Sequence, residues 1–180
     1  MTDAKGAPRY QEKVSSSGWL VVLLAVVLVA GTAVPVGIVA AKSKGAFDQL
    51  APVVIPAGLL VLLILSLVSQ FFSLRVAIGQ GMLTFGFGLF RKRIHISRIR
   101  SYGPTTYRWQ SYGGWGIRWG RDGSTAYNVV GDKGIAVRVA VDRNGRKRDY
   151  LFSSRQPEAV CRALDEELVA AGLPAVRAPA

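Results

Sequence analysis

Two long apolar runs stand near the N-terminus of this 180-residue chain, at residues 19–41 and 52–72. Neither run contains a charged side chain, and each has about the 20 residues that a helix needs to cross a hydrocarbon core. Backbone groups in lipid must pair within their own segment, which favours helices in spite of the many β-branched valines. The pattern predicts a transmembrane hairpin over residues 18–72. The preceding polar residues 1–17 show no periodicity and are interpreted as a disordered tail.

From Ser73 onward the hydrophobic positions repeat every second residue, which is the period of a strand with one buried face. The clearest alternations are Leu74, Val76 and Ile78, then Leu83, Phe85, Phe87 and Leu89, then Ile135, Val137, Val139 and Val141. Glycine-containing turns at 79–81 and 144–145 would join neighbouring strands as hairpins. Shorter apolar stretches lie near Ile94, Tyr102, Trp115, Ala126 and Tyr150. Together these stretches predict about seven short strands.

The period changes again after Pro157. Val160, Cys161, Leu164 and Leu168 fall on one face of a helix, and Gly172 is a typical residue to end it. Residues 73–172 are therefore predicted to be an all-β domain closed by a C-terminal capping helix. Residues 173–180 are interpreted as a flexible tail.

Positive charges around the two apolar runs predict the orientation in the membrane. The linker between the runs holds Lys42 and Lys44, whereas the stretch after the second run holds six basic residues, namely Arg75, Arg91, Lys92, Arg93, Arg98 and Arg100. Because Lys and Arg accumulate on the cytoplasmic side, a two-span protein of the cell membrane would have both termini in the cytoplasm. A cleaved signal peptide ending near Ala41 is the alternative for the first run, although the run is longer than usual signal sequences.

The formal net charge of +12 belongs to the β-rich part of the chain. Residues 73–155 contain 16 Lys and Arg against 4 Asp and Glu. A basic field of this strength attracts anionic lipid, acidic protein or nucleic acid. The single cysteine, Cys161, excludes an internal disulfide, and a lone His95 gives no spacing typical of a metal site.

The order of elements resembles that of a known class of domain. The chain resembles small bacterial membrane proteins with a pleckstrin-homology-like (PH-like) domain in three features. The first is the order of strands followed by a C-terminal helix. The others are two stretches of sequence: LRVAIGQGMLTFGFGLFRKRIHISRI at 74–99, and the later GGWGIRWGRDGSTAYNVVGDKGIAVRV with LFSSRQPEAVCRAL. The resemblance covers residues 19–170. It implies two membrane helices followed by an all-β, PH-like, partly open barrel with a C-terminal capping helix. It brings no settled activity and no catalytic residues.

Candidate chemistry along the chain is sparse. Gly86-Phe87-Gly88 lacks the third glycine and the following helix of a nucleotide-binding loop. His95 has no nucleophile or acid partner in the pattern. Cys161 lies on the apolar face of the predicted C-terminal helix. No catalytic residue, metal ligand or cofactor is predicted. A run of aromatics between arginines, from Tyr107 to Tyr127, is interpreted mainly as core, secondarily as a membrane-interface or partner contact, and least as a nucleic-acid platform.

These patterns favour a non-enzymatic, membrane-anchored module that presents a basic cytoplasmic surface to anionic lipid headgroups or to another membrane protein. The candidate contact residues are Arg75, Arg91, Lys92, Arg93, Arg98 and Arg100. The alternative is a structural or scaffold subunit of a membrane complex that acts through its transmembrane helices. Nucleic acid is the least favoured partner, and an enzyme ranks behind both hypotheses.

Overall fold

The structure is a computed structural model that describes residues 8–16, 22–23, 25–31, 37, 46–131, 133–143 and 145–178. The chain divides into two compact units. One unit joins the residues up to Ser16 with Phe71–Ala180, and the other is Ser17–Gln70. The β-rich unit is therefore discontinuous in sequence, in contrast to the predicted continuous domain over 73–172.

The second unit contains helix α1, Ala46–Ser69, which runs into a short 3-10 turn at Gln70–Phe72. Within the described residues, one helical stretch, Ile55–Phe72, is long and apolar enough to cross a membrane by length and composition. The prediction of a two-helix transmembrane hairpin is wrong on this finding. Of the predicted span 19–41, residues 22–23, 25–31 and 37 are helical, and the rest lies outside the described residues.

Helix α1 begins earlier than the second apolar run. Its first residue is Ala46, so Pro52 and Pro56 lie inside the helix and not in its first turn. Apolar side chains such as Ile55, Leu59 and Leu62 are more than half exposed. A helix that carries apolar residues on every side suits a lipid or protein environment better than water.

Four antiparallel strands in the order β1-β2-β3-β4 form the first sheet: β1 Tyr10–Ser15, β2 Ser73–Gly79, β3 Met82–Phe87 and β4 Phe90–His95. Strand β1 comes from the segment predicted to be a disordered tail. It pairs with β2 over its whole length, from Tyr10 opposite Ile78 to Ser15 opposite Ser73. Val14, at 3% exposure, reaches the core from this strand, which is why the polar-looking segment folds.

Five strands form the second sheet, in the order β5-β8-β9-β7-β6. They are β5 Ile99–Thr106, β6 Gly116–Trp119, β7 Thr125–Asn128, β8 Ile135–Arg143 and β9 Arg146–Ser153. Strands β7 and β9 are parallel, and the other neighbours are antiparallel. The predicted strands after Ser73 are all present, but the described residues form two sheets of four and five strands where a single partly open barrel was predicted.

Helix α2, Pro157–Ala170, covers the core that the two sheets share, as the sequence predicts. Leu164 is fully buried beside Val160 and Cys161. The backbone N–H of Gly81 donates to the Glu167 carboxylate at 2.7 Å, which ties the β2–β3 turn to the end of the helix. The elements of the β-rich unit therefore fold around one hydrophobic core.

The segment after α2 is not the flexible tail that was predicted. Its backbone pairs with β5, because Tyr102 N–H donates to the carbonyl of Val176 at 3.2 Å and Ala178 N–H donates to the carbonyl of Tyr102 at 2.8 Å. The side chain of Arg177 forms an ion pair with Asp165 of α2. Residues 176–178 thus extend the second sheet through hydrogen bonds that no local pattern reveals.

Candidate functional site: a basic face on the first sheet

The register of the first sheet brings cations from three strands into one row. Lys13 of β1 lies opposite Arg75 of β2, Arg75 lies opposite Gly86 of β3, and Gly86 lies opposite Arg91 of β4. Neighbouring strands are about 4.8 Å apart, so the row extends over about 15 Å. The row has the outward parity of its strands, because Val14, Leu74 and Phe87 next to it point into the core. We call Lys13, Arg75 and Arg91 the basic row.

No acid among the described residues forms an ion pair with any of these three cations. Lys13, Arg75 and Arg91 are all exposed. The other outward positions of these strands carry small or uncharged side chains, such as Gln11, Ala77 and Thr84, and further cations. Like charges without partners repel one another, so this arrangement gives the fold no stability of its own.

Gly86 fills the gap between Arg75 and Arg91, and no larger residue fits there. Its φ is +146°, and a Cβ at this position would lie 2.2 Å from the carbonyl oxygen of Phe90 and 2.7 Å from the Cα of Arg91. The backbone of the β3–β4 hairpin therefore demands glycine for steric reasons. Arg75 and Arg91 therefore lie about two strand spacings apart in the row, with the buried Gly86 between them.

The second outward row adds one more cation. Arg93 lies opposite Thr84, which lies opposite Ala77, which in turn lies opposite Gln11. Arg93 is two residues along β4 from Arg91, a distance of about 7 Å in an extended strand. The positive face of the first sheet is thus made of the basic row and Arg93.

Lys92, between two members of this face, points the other way. It shares the inward parity of Phe90 and Ile94, and its Nζ lies 5.3 Å from the centroid of the Tyr150 ring. This is a cation–π contact. The predicted cluster Arg91-Lys92-Arg93 is therefore divided by the strand's alternation, and Lys92 does not belong to the outer face.

Arg98 and Arg100 also lie away from the basic row. Arg100 bonds Asp142 at 2.6 Å, and this ion pair, together with the N–H of Gly145, holds the pKa of Asp142 below its usual range. Arg98 lines a cleft of about 190 Å³ where β4 meets the β8–β9 hairpin, with Lys92, Arg93, His95, Asp142 and Arg143 among the other lining residues. This cleft is a second, mixed-charge region, and Arg93 touches both it and the basic face.

The structure adds Lys13 to the candidate residues, although the sequence pattern predicts that Lys13 lies in a disordered tail. The alternation of Tyr10, Glu12 and Val14 with Gln11, Lys13 and Ser15 is a weak strand signal in the printed sequence. Its pairing partner, 60 residues away, could not be read from that signal.

The other nucleophilic and titratable side chains that we considered contribute to packing or to local hydrogen bonds. Burial raises the pKa of the Cys161 thiol to about 11, so it stays protonated as a small apolar side chain. Burial, reinforced by the Glu12 carboxylate, raises the pKa of Tyr10 to about 12. Among the described residues, the exposed His95 side chain bonds Ser97 alone: its Nδ1 lies 2.8 Å from the Ser97 hydroxyl and accepts from the Ser97 backbone N–H at 3.4 Å. No group of three His, Cys, Asp or Glu side chains within the described ranges could hold a metal ion.

The aromatic run from Tyr107 to Tyr127 divides between core and surface. Tyr127 packs edge-on against Phe85, with ring centroids 5.0 Å apart, and Tyr107 packs against Tyr112 in a smaller cluster. Trp109 and Trp115 instead stack on each other at 4.5 Å and remain 39% and 37% exposed. Tyr127, at one end of the run, therefore belongs to the core, whereas Trp109 and Trp115 form an exposed indole pair.

Comparison of the chain with protein-family models, curated proteins and solved structures gives no match. The resemblance to small bacterial membrane proteins consequently stays a prediction. The function must be argued from the geometry of the basic face and of the elements that surround it.

Proposed function

We propose that this chain is a non-enzymatic, membrane-anchored module whose β-rich unit presents the basic row and Arg93 to anionic lipid headgroups on one side of the membrane. The observation that carries the proposal is the set of exposed cations, Lys13, Arg75, Arg91 and Arg93, without an acidic partner in the described residues. Phosphate oxygens would supply the missing negative charge. Arg91 and Arg75, on either side of Gly86, are spaced so that one headgroup could meet both.

The way the apolar segment joins the β-rich unit supports anchoring from one side. Strands β1 and β2 are paired neighbours, with Ser15 opposite Ser73, and Ser16 N–H donates to the carbonyl of Phe72 at 2.8 Å. Residues 17–70 therefore leave the unit and return to it at the same end of the first sheet. Because β1 and β2 are paired in one sheet, our proposal assigns the whole β-rich unit to one side of the membrane, and the Lys and Arg bias favours the cytoplasmic side.

The basic row lies close to that end. Lys13 and Arg75 are each two residues from the pair Ser15–Ser73, a separation of about 7 Å. Attraction to an anionic leaflet falls off within a Debye length of about 8 Å at physiological salt, so the row lies within its range. Each basic residue near such a surface contributes about 1 kcal/mol. Three such residues give weak binding, which suffices for a unit held nearby by a covalent anchor.

The experiment uses the full chain in phosphatidylcholine nanodiscs, with or without phosphatidylglycerol. A fluorophore on Thr84→Cys, at the centre of the basic face, reports the approach of nitroxide-labelled headgroups by quenching. Because Cys161 is buried, an exposed cysteine is labelled selectively. We expect quenching that requires phosphatidylglycerol and decreases as salt is added, since the attraction is screened.

Two triple variants test where the charge acts. Lys13→Gln, Arg75→Gln and Arg91→Gln together should abolish the lipid-dependent quenching. The matched control removes the same charge from exposed positions outside the first sheet, with Arg121→Gln, Arg146→Gln and Arg162→Gln, and should leave it unchanged. Inorganic phosphate at equal ionic strength distinguishes a specific phosphate site, which it would occupy, from a lipid surface, which it would only screen.

Equal quenching in neutral and anionic discs, or equal loss in the two triple variants, would refute the lipid proposal. The scaffold alternative would then lead. It draws on the exposed apolar side chains of α1, such as Ile55, Leu59 and Leu62, which suit contact with another membrane protein as well as lipid. Co-purification of the full chain with a fixed partner in mild detergent, lost on substitution within α1, would support it.

A further inference from the structure

The two-residue turn of the β3–β4 hairpin is unusually apolar. Gly88 and Leu89 form the turn, where hairpins commonly carry Asn, Asp or Gly. Leu89 is 83% exposed, and Phe90 beside it is 49% exposed. The sequence pattern predicts that Leu89 continues the inward face of β3, but Gly88, at φ +39°, ends the strand and turns the chain. Leu89 therefore contributes nothing to the core, and its exposure has no folding reason.

The turn is the outer end of a column of aromatic rings. Phe90 stacks on Phe71 with ring centroids 5.5 Å apart, and Phe71 packs against the buried Phe87 at 5.6 Å. The column fixes the position of the turn relative to the core. Leu89 is thus an exposed apolar side chain on a turn whose position is fixed by packing against the core.

A second apolar element lies at the same end of the unit. A Cβ on Gly116 would lie 3.7 Å from Cδ1 of Phe71, so the loop that carries Trp115 passes the column. Trp115 and its stacked partner Trp109 are the exposed indole pair described above. Tryptophan favours the boundary between headgroups and acyl chains.

This end is also where the chain leaves for the apolar segment. Val14 and Leu74 stand in register with Phe87 and Phe90, so the β3–β4 turn is at the same edge of the first sheet as Ser16 and Phe72. Continuity with residues 17–70, together with the cations one row behind the turn, identifies the partner surface as a lipid bilayer.

We infer that the β3–β4 turn is a second membrane contact: Leu89 and Phe90 insert among the acyl chains at the bilayer interface, with the Trp109–Trp115 pair beside them at headgroup level. The inference rests on the proposed membrane function and adds to it a salt-resistant, apolar contact that orients the unit. With this second contact, the β-rich unit would present one fixed face to the lipid in addition to being tethered.

Distances along the strands agree with this arrangement. Interfacial apolar groups reach about 5–10 Å below the headgroup boundary. Arg91 is two residues from Leu89, about 7 Å along β4, which brings the basic row to the phosphates when Leu89 is inserted. Arg93 lies about 7 Å further from the membrane, in the aqueous layer where it still senses the surface potential.

The test places an environment-sensitive fluorophore on Leu89→Cys in the full chain, in nanodiscs whose lipids carry a nitroxide on the acyl chain near the headgroup. The control carries the same fluorophore on Val169→Cys. Val169 is also an exposed aliphatic residue, at 68%, but it lies near the α2 end that contacts Gly81, at the opposite edge of the first sheet. We expect blue-shifted emission and nitroxide quenching at residue 89 in neutral discs at high salt, and neither at residue 169.

The two proposals can fail separately. If emission and quenching at residue 89 equal those at residue 169, insertion is refuted, whatever the label on Thr84→Cys reports. If residue 89 is inserted while Thr84→Cys shows no dependence on anionic lipid, the basic-face proposal fails and the apolar contact stands. A Leu89→Asp variant should keep the wild-type melting temperature and lose the protection of the neighbouring Trp115 from an aqueous quencher; retained protection would also overturn the inference.

Discussion

The outer face of the first sheet and the opposite side of the β-rich unit contain the same kind of residue in opposite settings. On the outer face, Arg75, Arg91 and Arg93 have no acidic partner among the described residues. On the other side, Arg138 of β8 lies between Asp149 at 2.8 Å and Asp122 at 3.1 Å, and Arg177 binds Asp165 and Glu158. The basic composition of the chain therefore has two parts: arginines that hold the fold together, and arginines left free to meet something else.

The largest effect should come from breaking the core on which both sides depend. Leu164→Ala in α2 removes a fully buried side chain and should lower the free energy of unfolding by about 2–5 kcal/mol. Val169→Ala, on the exposed side of the same helix, should change it by less than about 0.5 kcal/mol. Chemical denaturation of the full chain in detergent, followed by near-UV circular dichroism, measures both. Equal effects would mean that α2 does not cap a shared core.

The second-largest effect should come from acid, which lowers the stability that the ion pairs of Asp122 and Asp165 give the fold. Hydrogen bonds from Ser124 hold the pKa of Asp122 below its usual range. Burial by itself would raise the pKa of Asp165, but the hydrogen bonds from Arg177 and Tyr102 together outweigh it, so the pKa of Asp165 is lowered as well. A carboxyl whose folded pKa is lowered stabilises the fold fully above its unfolded pKa of about 3.9 and ceases to do so as the pH falls through the folded value. Stability should decline below about pH 4, and less steeply in Asp165→Asn. An equal decline in that variant would contradict this account.

Single arginine replacements compare the two sides directly. Arg138→Gln removes the guanidinium from between Asp122 and Asp149 and should cost about 1 kcal/mol, a modest value because the guanidinium is partly exposed. Added salt should reduce the difference from wild type. Thermal melts at low and high salt give the measurement. A neutral effect of Arg138→Gln would remove the distinction between the two sets of arginines.

The smallest effect on stability is expected on the outer face. Arg75→Gln with Arg91→Gln should leave the melting temperature unchanged or raise it slightly, because the change relieves repulsion among the like charges of the basic row. The same double variant should weaken the lipid-dependent quenching at Thr84→Cys. Destabilisation by more than about 1 kcal/mol would show that these two arginines stabilise the fold, which would contradict the distinction between the two sets of arginines.

Much of the fold follows from local patterns. The alternation of Leu74, Val76 and Ile78 and the helical face of Val160 and Leu164 predict elements that the structure contains. The same period of two separates Lys92 from Arg91 and Arg93, because neighbouring residues in a strand face opposite sides. The prediction of two membrane helices is wrong for the described residues, which contain one candidate helix.

The sequence by itself determined the quantities that depend on neighbouring residues: the net charge, the inward faces of the strands after Ser73, and the apolar character of helix α1. Tertiary structure decided what depends on pairing. Lys13, Arg75 and Arg91 form one row only because β1 pairs with β2 across an insertion of more than 50 residues and because the turn at Gly88 and Leu89 places Arg91 opposite Gly86. Leu89 is exposed only because strand β3 ends at Phe87, two residues earlier than its pattern suggests. Strand faces are set by a short-range period, whereas strand partners are chosen by the burial of the whole core.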